Sequence, residues 1–162
     1  FEIRLAEALD RMSPTDPVRL YVCIFDVDNF KIINDRYGHA NGDELLKQIT
    51  RISKETIGSF DCLARLGGDE FVLLLTGIQE DSHAFMMVER IRNSIAETPF
   101  GLNSHQFHAS CSFGMVSSGA DHVAVKDLSN QLLSYADNAL YASKLKGKNS
   151  ISVSFLPEPD EG

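Results

Sequence analysis

Apolar residues recur along the chain with two periods, and the switches between them predict its elements. At residues 2–12, "EIRLAEALDRM", Leu5, Leu9 and Met12 fall on one helical face. The prolines of "SPTDP" then end that helix. "VRLYVCIFDVD" is almost continuously apolar up to Phe25, as a central strand covered on both faces would be. Leu45, Ile49 and Ile52 share one side of a second helix, which Asn41 or Asp43 is placed to cap. Just before it, "NFKIINDRYGHANGDELL" is too weakly amphipathic to be one helix throughout, and Gly38 and Gly42 punctuate it. "CLARL" and "FVLLL" flank a glycine turn and read as a β-hairpin. A third helix is expected from about Ser82 to Glu97, with Phe85, Val88, Ile91 and Ile95 facing inward. "QFHASCSFGM" alternates, setting Phe107, Ala109, Cys111, Phe113 and Met115 on one face. A fourth helix covers about Asp127 to Lys146, and "SISVSF" makes the last strand.

This order contains β-α-β-β-α-β, a ferredoxin-like core. The expected fold is therefore α+β: a mostly antiparallel central sheet flanked by helices, plus a C-terminal helix and strand. One domain is expected over residues 1–156, with 157–162 a loose acidic tail. Such a fold hosts many functions, so the chemistry must come from particular residues.

Composition narrows the classes. The 162 residues are 43% hydrophobic and 23% charged, ordinary for a globular domain, and no apolar run approaches the ~20 residues needed to cross a bilayer. The expectation is a cytoplasmic domain without direct membrane contact. A net charge of −8 argues against nucleic acid as a partner, so an anionic ligand needs a local cluster of cations or a metal. Cys23, Cys62 and Cys111 sit in apolar or alternating segments and read as buried free thiols. The chain opens at Phe1, without an initiator Met, directly in helical periodicity; a fragment of a longer protein is expected.

Asp26 and Asp28 close the first strand, and residues two apart in a strand point the same way. Two acids after a buried apolar run suit a divalent cation, although a strand that has already ended would leave them simply facing water. Pairing of the hairpin beside the first strand would bring the turn "GGDE", with Asp69 and Glu70, to the same end. Carboxylates from two segments would then form a hard-oxygen site of the kind Mg²⁺ uses. Gly67 and Gly68 would leave room for a bulky ligand, although the same four residues also make a plain hairpin turn. Asn34 and Asp43 could present an amide and a carboxylate to a base edge, favouring guanine, or act as helix caps. Lys144 and Lys148, four apart at a helix end, suit either the helix dipole or phosphates, as does Lys31.

"FDVDNFKIINDRYGHANGDELL", "RLGGDEF" and "ADNALYASKLKGKN" occur in an order and spacing that resembles the GGDEF domain of diguanylate cyclases, over about Leu20 to Asn149. The resemblance implies a metal-dependent enzyme, using Mg²⁺ or Mn²⁺, that joins two GTP into cyclic di-GMP and releases two pyrophosphates. It implies a palm-type fold, one GTP per domain and a face-to-face homodimer. By position, Asp26, Asp69 and the Val27 carbonyl would hold metal, and Asp69 or Glu70 would assist deprotonation of the 3′-hydroxyl. Asn34 and Asp43 would read guanine with Leu46 against the base. The amides around Asn29 and Phe30, with Lys31, Lys144 and Lys148, would hold the triphosphate beside Gly67 and Gly68. Asp28 is expected to support the site rather than ligate.

Departures from the family pattern carry expectations too. Its inhibitory product site is an RxxD pair; here Gly58 replaces the Arg while Asp61 is retained, so no such site is expected. Lys148 stands where many members have arginine, which keeps the charge and loses the fork. The family's "DxLTGLxNR" segment, which links to an upstream sensor or receiver domain, is missing. The alternative reading is a catalytically silent GTP-binding regulatory module of a larger signalling protein, but such modules usually lose signature acids that are present here.

Overall fold

The structure is a computed structural model that describes residues 1–13, 15, 17–102, 106–119, 122 and 127–157. Among the described residues, five helices and five strands follow one another as α1 (Glu2–Arg11), β1 (Arg19–Val27), α2 (Phe30–Tyr37), α3 (His39–Thr56), β2 (Cys62–Gly67), β3 (Glu70–Ile78), α4 (Asp81–Glu97), β4 (Cys111–Ser118), α5 (Leu128–Leu145) and β5 (Ile151–Phe155). The sheet order is β2-β3-β1-β4-β5. Every neighbouring pair is antiparallel except β4 with β5, so the mixed α+β sheet is mostly antiparallel, as expected. Most of the tail, residues 158–162, lies outside the described residues.

β1 sits in the centre because its side chains are apolar on both faces. Tyr21, Cys23, Phe25 and Val27 join one core with α2, α3 and α4, while Leu20, Val22 and Ile24 join the other with α1 and α5. Phe25 stacks between Phe71 of β3 and Phe113 of β4, at centroid distances of 5.1 and 4.7 Å. Such pairs contribute about 1 kcal/mol each beyond burial. On the other face α5 lies almost directly on β4. A Cβ at Gly114 would stand 2.1 Å from the Leu140 nitrogen and 2.2 Å from the Ala136 oxygen.

Four expectations need correction. Phe85 does not face the core: Ala84, Val88, Ile91 and Ile95 take the inward positions of α4, and Phe85 is left exposed beside an apolar groove with Tyr21, Met115 and Phe155. Neither Asn41 nor Asp43 caps α3, which starts earlier, at His39 after Gly38, without a side-chain cap. Asn41 instead bridges segments, donating to the Tyr37 carbonyl and accepting from the Leu102 N–H. Gly42 does not punctuate the chain but lies buried inside α3, where a Cβ would meet Asn34 Oδ1 at 1.9 Å. Finally, Cys62 is only half-buried, because β2 is an edge strand; Cys23 and Cys111 are buried, and all three are free. None of the helices is long and apolar enough to cross a membrane among the described residues.

Candidate active site

The C-terminal end of β1 is where the chemistry collects. Register opposes Asp26 to Glu70 on one side and to Ser112 on the other. The hairpin turn before β3 is thereby delivered to the end of β1, where the Val27 N–H donates to the Asp69 carbonyl (3.3 Å). Gly68 holds that turn at φ 51°, Arg65 Nε donates to its carbonyl (2.8 Å), and the space above Gly67 and Gly68 is open. The second hairpin strand, β3, makes the pairing with β1.

Because side chains alternate along β1, Asp26 falls on the α5 face. Lys144 of α5 meets its Oδ2 as an ion pair. The other oxygen, Oδ1, is buried and accepts no hydrogen bond. Burial raises the Asp26 pKa above the usual carboxylate value; Lys144 opposes this, and the neighbouring charges of Asp69 and Asp28 add to it. Burial likewise raises Glu70, reinforced by Asp137 and Asp26. Desolvation pulls Lys144 down, but Asp26, Asp69 and Glu70 together outweigh it and raise its pKa. The strand end is an acid cluster that Lys144 compensates only in part.

Asp28 plays a different part. Its Oδ1 accepts from Ser112 (2.6 Å), and its Oδ2 accepts from Ser110 (2.6 Å) and from the Asn149 N–H (3.0 Å). With both oxygens engaged it braces the loop around β1 rather than offering a free carboxylate. Ser110, Ser112 and Asn149 were not identified as site residues from sequence. A main-chain donor carries no signature in residue type, and the two serines read as the polar face of a strand.

A cleft of about 530 Å³ opens over this end. Asp26, Val27, Asp28, Asn29, Phe30, Lys31, Asn34, Asp69, Lys144 and Lys148 line it, together with Asp35 and His39. Asn29 is left-handed (φ 56°) and starts α2, and Lys148 Nζ donates to its Oδ1 at 2.5 Å. The first N–H groups of α2 have no partner within the helix and border the cleft, a setting that suits an anion. Asn34 Oδ1 is the second buried oxygen here without a partner. Asp43 is exposed and lines a smaller hollow of about 310 Å³ with Leu46, Lys47, Thr50, Arg65 and Phe71. Gly42 ties the two regions together, since it lies against Asn34 and precedes Asp43 in α3.

The donor set fits a hard divalent cation. Asp26 Oδ1 is an unpartnered oxygen beside a cleft that Val27 and Asp69 also line. No group of three His, Cys, Asp or Glu side chains gathers for a metal among the described residues. A cation here would therefore draw the rest of its shell from water and substrate oxygens, as Mg²⁺ habitually does.

The family model for the diguanylate cyclase GGDEF domain matches residues 1–150. This chain belongs to the GGDEF domain family. Probable diguanylate cyclase DgcF of Escherichia coli K12 is 34% identical over 149 residues, which are 92% of this domain and 47% of the relative. Diguanylate cyclase DgcS of Shewanella oneidensis is 38% identical over 132 residues, 81% and 41% of the two chains. This GGDEF domain thus spans less than half the length of these relatives. Among solved structures, the GGDEF domain of YfiN (TpbB) from Pseudomonas aeruginosa superposes with a TM-score of 0.85 at 31% identity, covering 97% of this chain and 94% of that one. The active GGEEF domain of a diguanylate cyclase from Vibrio cholerae gives 0.77 at 30% identity, covering 93% and 89%. The GGDEF sequence itself, residues 67–71, runs from the last residue of β2 through the turn into β3, and its Asp69 lines the cleft.

Proposed function

We propose that this GGDEF domain is the catalytic part of a diguanylate cyclase, condensing two GTP into cyclic di-GMP with release of two pyrophosphates. The observation that carries the reading is the unpartnered Asp26 Oδ1 beside Asp69, in a cleft bordered by Lys31, Lys144 and Lys148. Acids grouped at this cost in stability are most simply accounted for by a cationic ligand.

In this reading Asn34 and Asp43 present an amide and a carboxylate to the guanine edge, and Leu46 supplies apolar contact. The α2 amides from Phe30 onward, with Lys31, Lys144 and Lys148, hold the triphosphate. Asp26, Asp69 and the Val27 carbonyl hold a divalent cation, Mg²⁺ or Mn²⁺, which when bound lowers the hydroxyl's pKa and neutralises developing phosphoryl charge. Asp69 or Glu70 accepts the 3′-hydroxyl proton. The 3′-oxygen forms a bond to the α-phosphorus of the other GTP as the bond to pyrophosphate breaks, and a second turnover of the same step closes the ring. One cleft holds one nucleotide, so two copies must face each other. Asp61 accepts hydrogen bonds from the Gly58 and Thr76 N–H groups (2.7 and 2.9 Å), which makes it a loop brace. In the full-length protein, an upstream sensor or receiver domain would control the meeting of the two copies.

The test is product formation from GTP with Mg²⁺ or Mn²⁺, using the domain alone and fused to a dimerising coiled coil. Cyclic di-GMP is expected, with a rate rising faster than linearly with concentration for the unfused chain. Asp69→Asn is expected to abolish it while leaving the fold intact. GTP binding without product from the fused form, repeated with an N-terminal family segment added, would instead establish a silent GTP-binding module.

A further inference from the structure

The turn between α5 and β5 carries Lys148 and Asn149, and both are left-handed, at φ 66° and 42°. Outside glycine such a conformation costs about 1 kcal/mol or more per residue, and lysine has no local side-chain bond to offset it. Part of the turn is ordinary helix closure: the Gly147 N–H donates to the Lys144 carbonyl and the Lys148 N–H to the Ser143 carbonyl. Helix closure leaves Asn149 unexplained. Its carbonyl and its Oδ1 both accept from Arg92 Nη1, at 3.2 and 2.8 Å, across the sheet from α4. Its own N–H holds Asp28 Oδ2 (3.0 Å). Arg92 is itself aimed by Glu89, which accepts from Nε (2.8 Å) and Nη2 (2.6 Å). The Arg92 side chain as a whole is 16% exposed.

We propose that Arg92 is a positioning residue for the phosphate side of the cleft. By clamping both oxygens of Asn149 it fixes the left-handed pair, so that Lys148 reaches Asn29 at the cleft rim and Asp28 keeps its main-chain donor. The inference rests on reading the cleft as a GTP site. It assigns to a helix on the opposite side of the turn a part in phosphate binding that Arg92, remote from the ligand, performs only through Asn149. The fork geometry is essential: one side of the guanidinium meets Glu89 while the other meets Asn149, and a lysine at 92 supplies no such bridge.

Two measurements on Arg92→Lys and Arg92→Gln test it. Amide exchange at Asn149 reports the clamp without any nucleotide; it is expected to accelerate about tenfold, the loss of one charge-assisted pair. Calorimetric titration in Mg²⁺ with GTP and with GMP reports the phosphate grip. GTP affinity is expected to fall about tenfold while GMP affinity stays within about twofold, because the lysine at stake serves the triphosphate, of which GMP keeps only the α-phosphate. Unchanged Asn149 exchange overturns the clamp. Faster exchange with unaltered GTP affinity, or equal losses for GTP and GMP, overturns the positioning role and leaves Arg92 a stabilising residue. A wild-type domain that binds neither nucleotide defeats the GTP reading and this role with it, whereas the exchange result still decides whether Arg92 holds Asn149.

Discussion

Lys144 of α5 pairs with one carboxylate oxygen of Asp26, and the second oxygen is buried without a partner. The ion pair therefore compensates only part of what burying this acid costs, and the Asp26 pKa stays raised by burial despite Lys144. Asp26→Asn removes that charge. It is expected to raise the melting temperature by a few degrees at neutral pH while abolishing product formation. Added Mg²⁺ should stabilise the wild type, by about 2.7 kcal/mol at a hundredfold excess over Kd, and leave the variant unmoved. A variant that melts earlier than wild type in scanning calorimetry would show that the ion pair outweighs the burial.

Gly42 is required by a neighbour rather than by its own backbone. A Cβ there would stand 1.9 Å from Asn34 Oδ1 and 3.3 Å from Phe30 Cζ. Gly42→Ala is expected to swing the Asn34 carboxamide aside and weaken GTP binding about tenfold, with little change in melting temperature. Equal GTP affinity in the two proteins would take Asn34 out of base recognition.

Asp43 offers only acceptors to a base. Asp43→Ser is expected to reduce the preference for GTP over ATP by about a factor of ten or more, read from competition binding. A preference that does not move would relocate the guanine contact elsewhere.

Gly114 lies against main-chain atoms of α5, which cannot rotate out of the way as a side chain can. Gly114→Ala is expected to cost about 3 kcal/mol in urea unfolding, at the upper end for overpacking. A cost below about 1 kcal/mol would mean that α5 slides freely on the sheet, and Lys144 with it.

Glu89 is held below the usual carboxylate value, first by its hydrogen bonds from Arg92. A carboxylate lowered in the folded state contributes stability that is complete above its unfolded pKa and is lost as pH falls through the folded one. Acid unfolding profiles of wild type and Glu89→Gln should therefore differ at neutral pH and converge below the folded pKa. Parallel profiles throughout would show that the pair contributes nothing net.

Much of the candidate site was legible in the sequence because its acids sit where acids are disfavoured. Asp26 after a buried run and Asp69-Glu70 at a glycine turn both announce themselves against strand chemistry, and the order of elements supplied a topology that could join them. Phe85 shows the limit of that logic. Helical spacing permits either Ala84 or Phe85 inward, and only the packing distance between α4 and the sheet selects the smaller residue. The expected cap at Asn41 or Asp43 failed for a similar reason: α2 and α3 run on with only Gly38 between them, so neither residue stands at a helix start.

What the sequence determined by itself is every element except α2, the two-sided burial of β1 and the presence of an acid-rich strand end. These follow from local periodicity and from the cost of placing charge beside apolar runs. What tertiary structure decided is which strand pairs with β1, that Asp26 keeps an unpartnered oxygen while Asp28 keeps none, and that Arg92 reaches Asn149. Those outcomes depend on register and on main-chain donors contributed by residues far apart along the chain. A main-chain N–H is the same group in every residue but proline, so no residue type records where it will point.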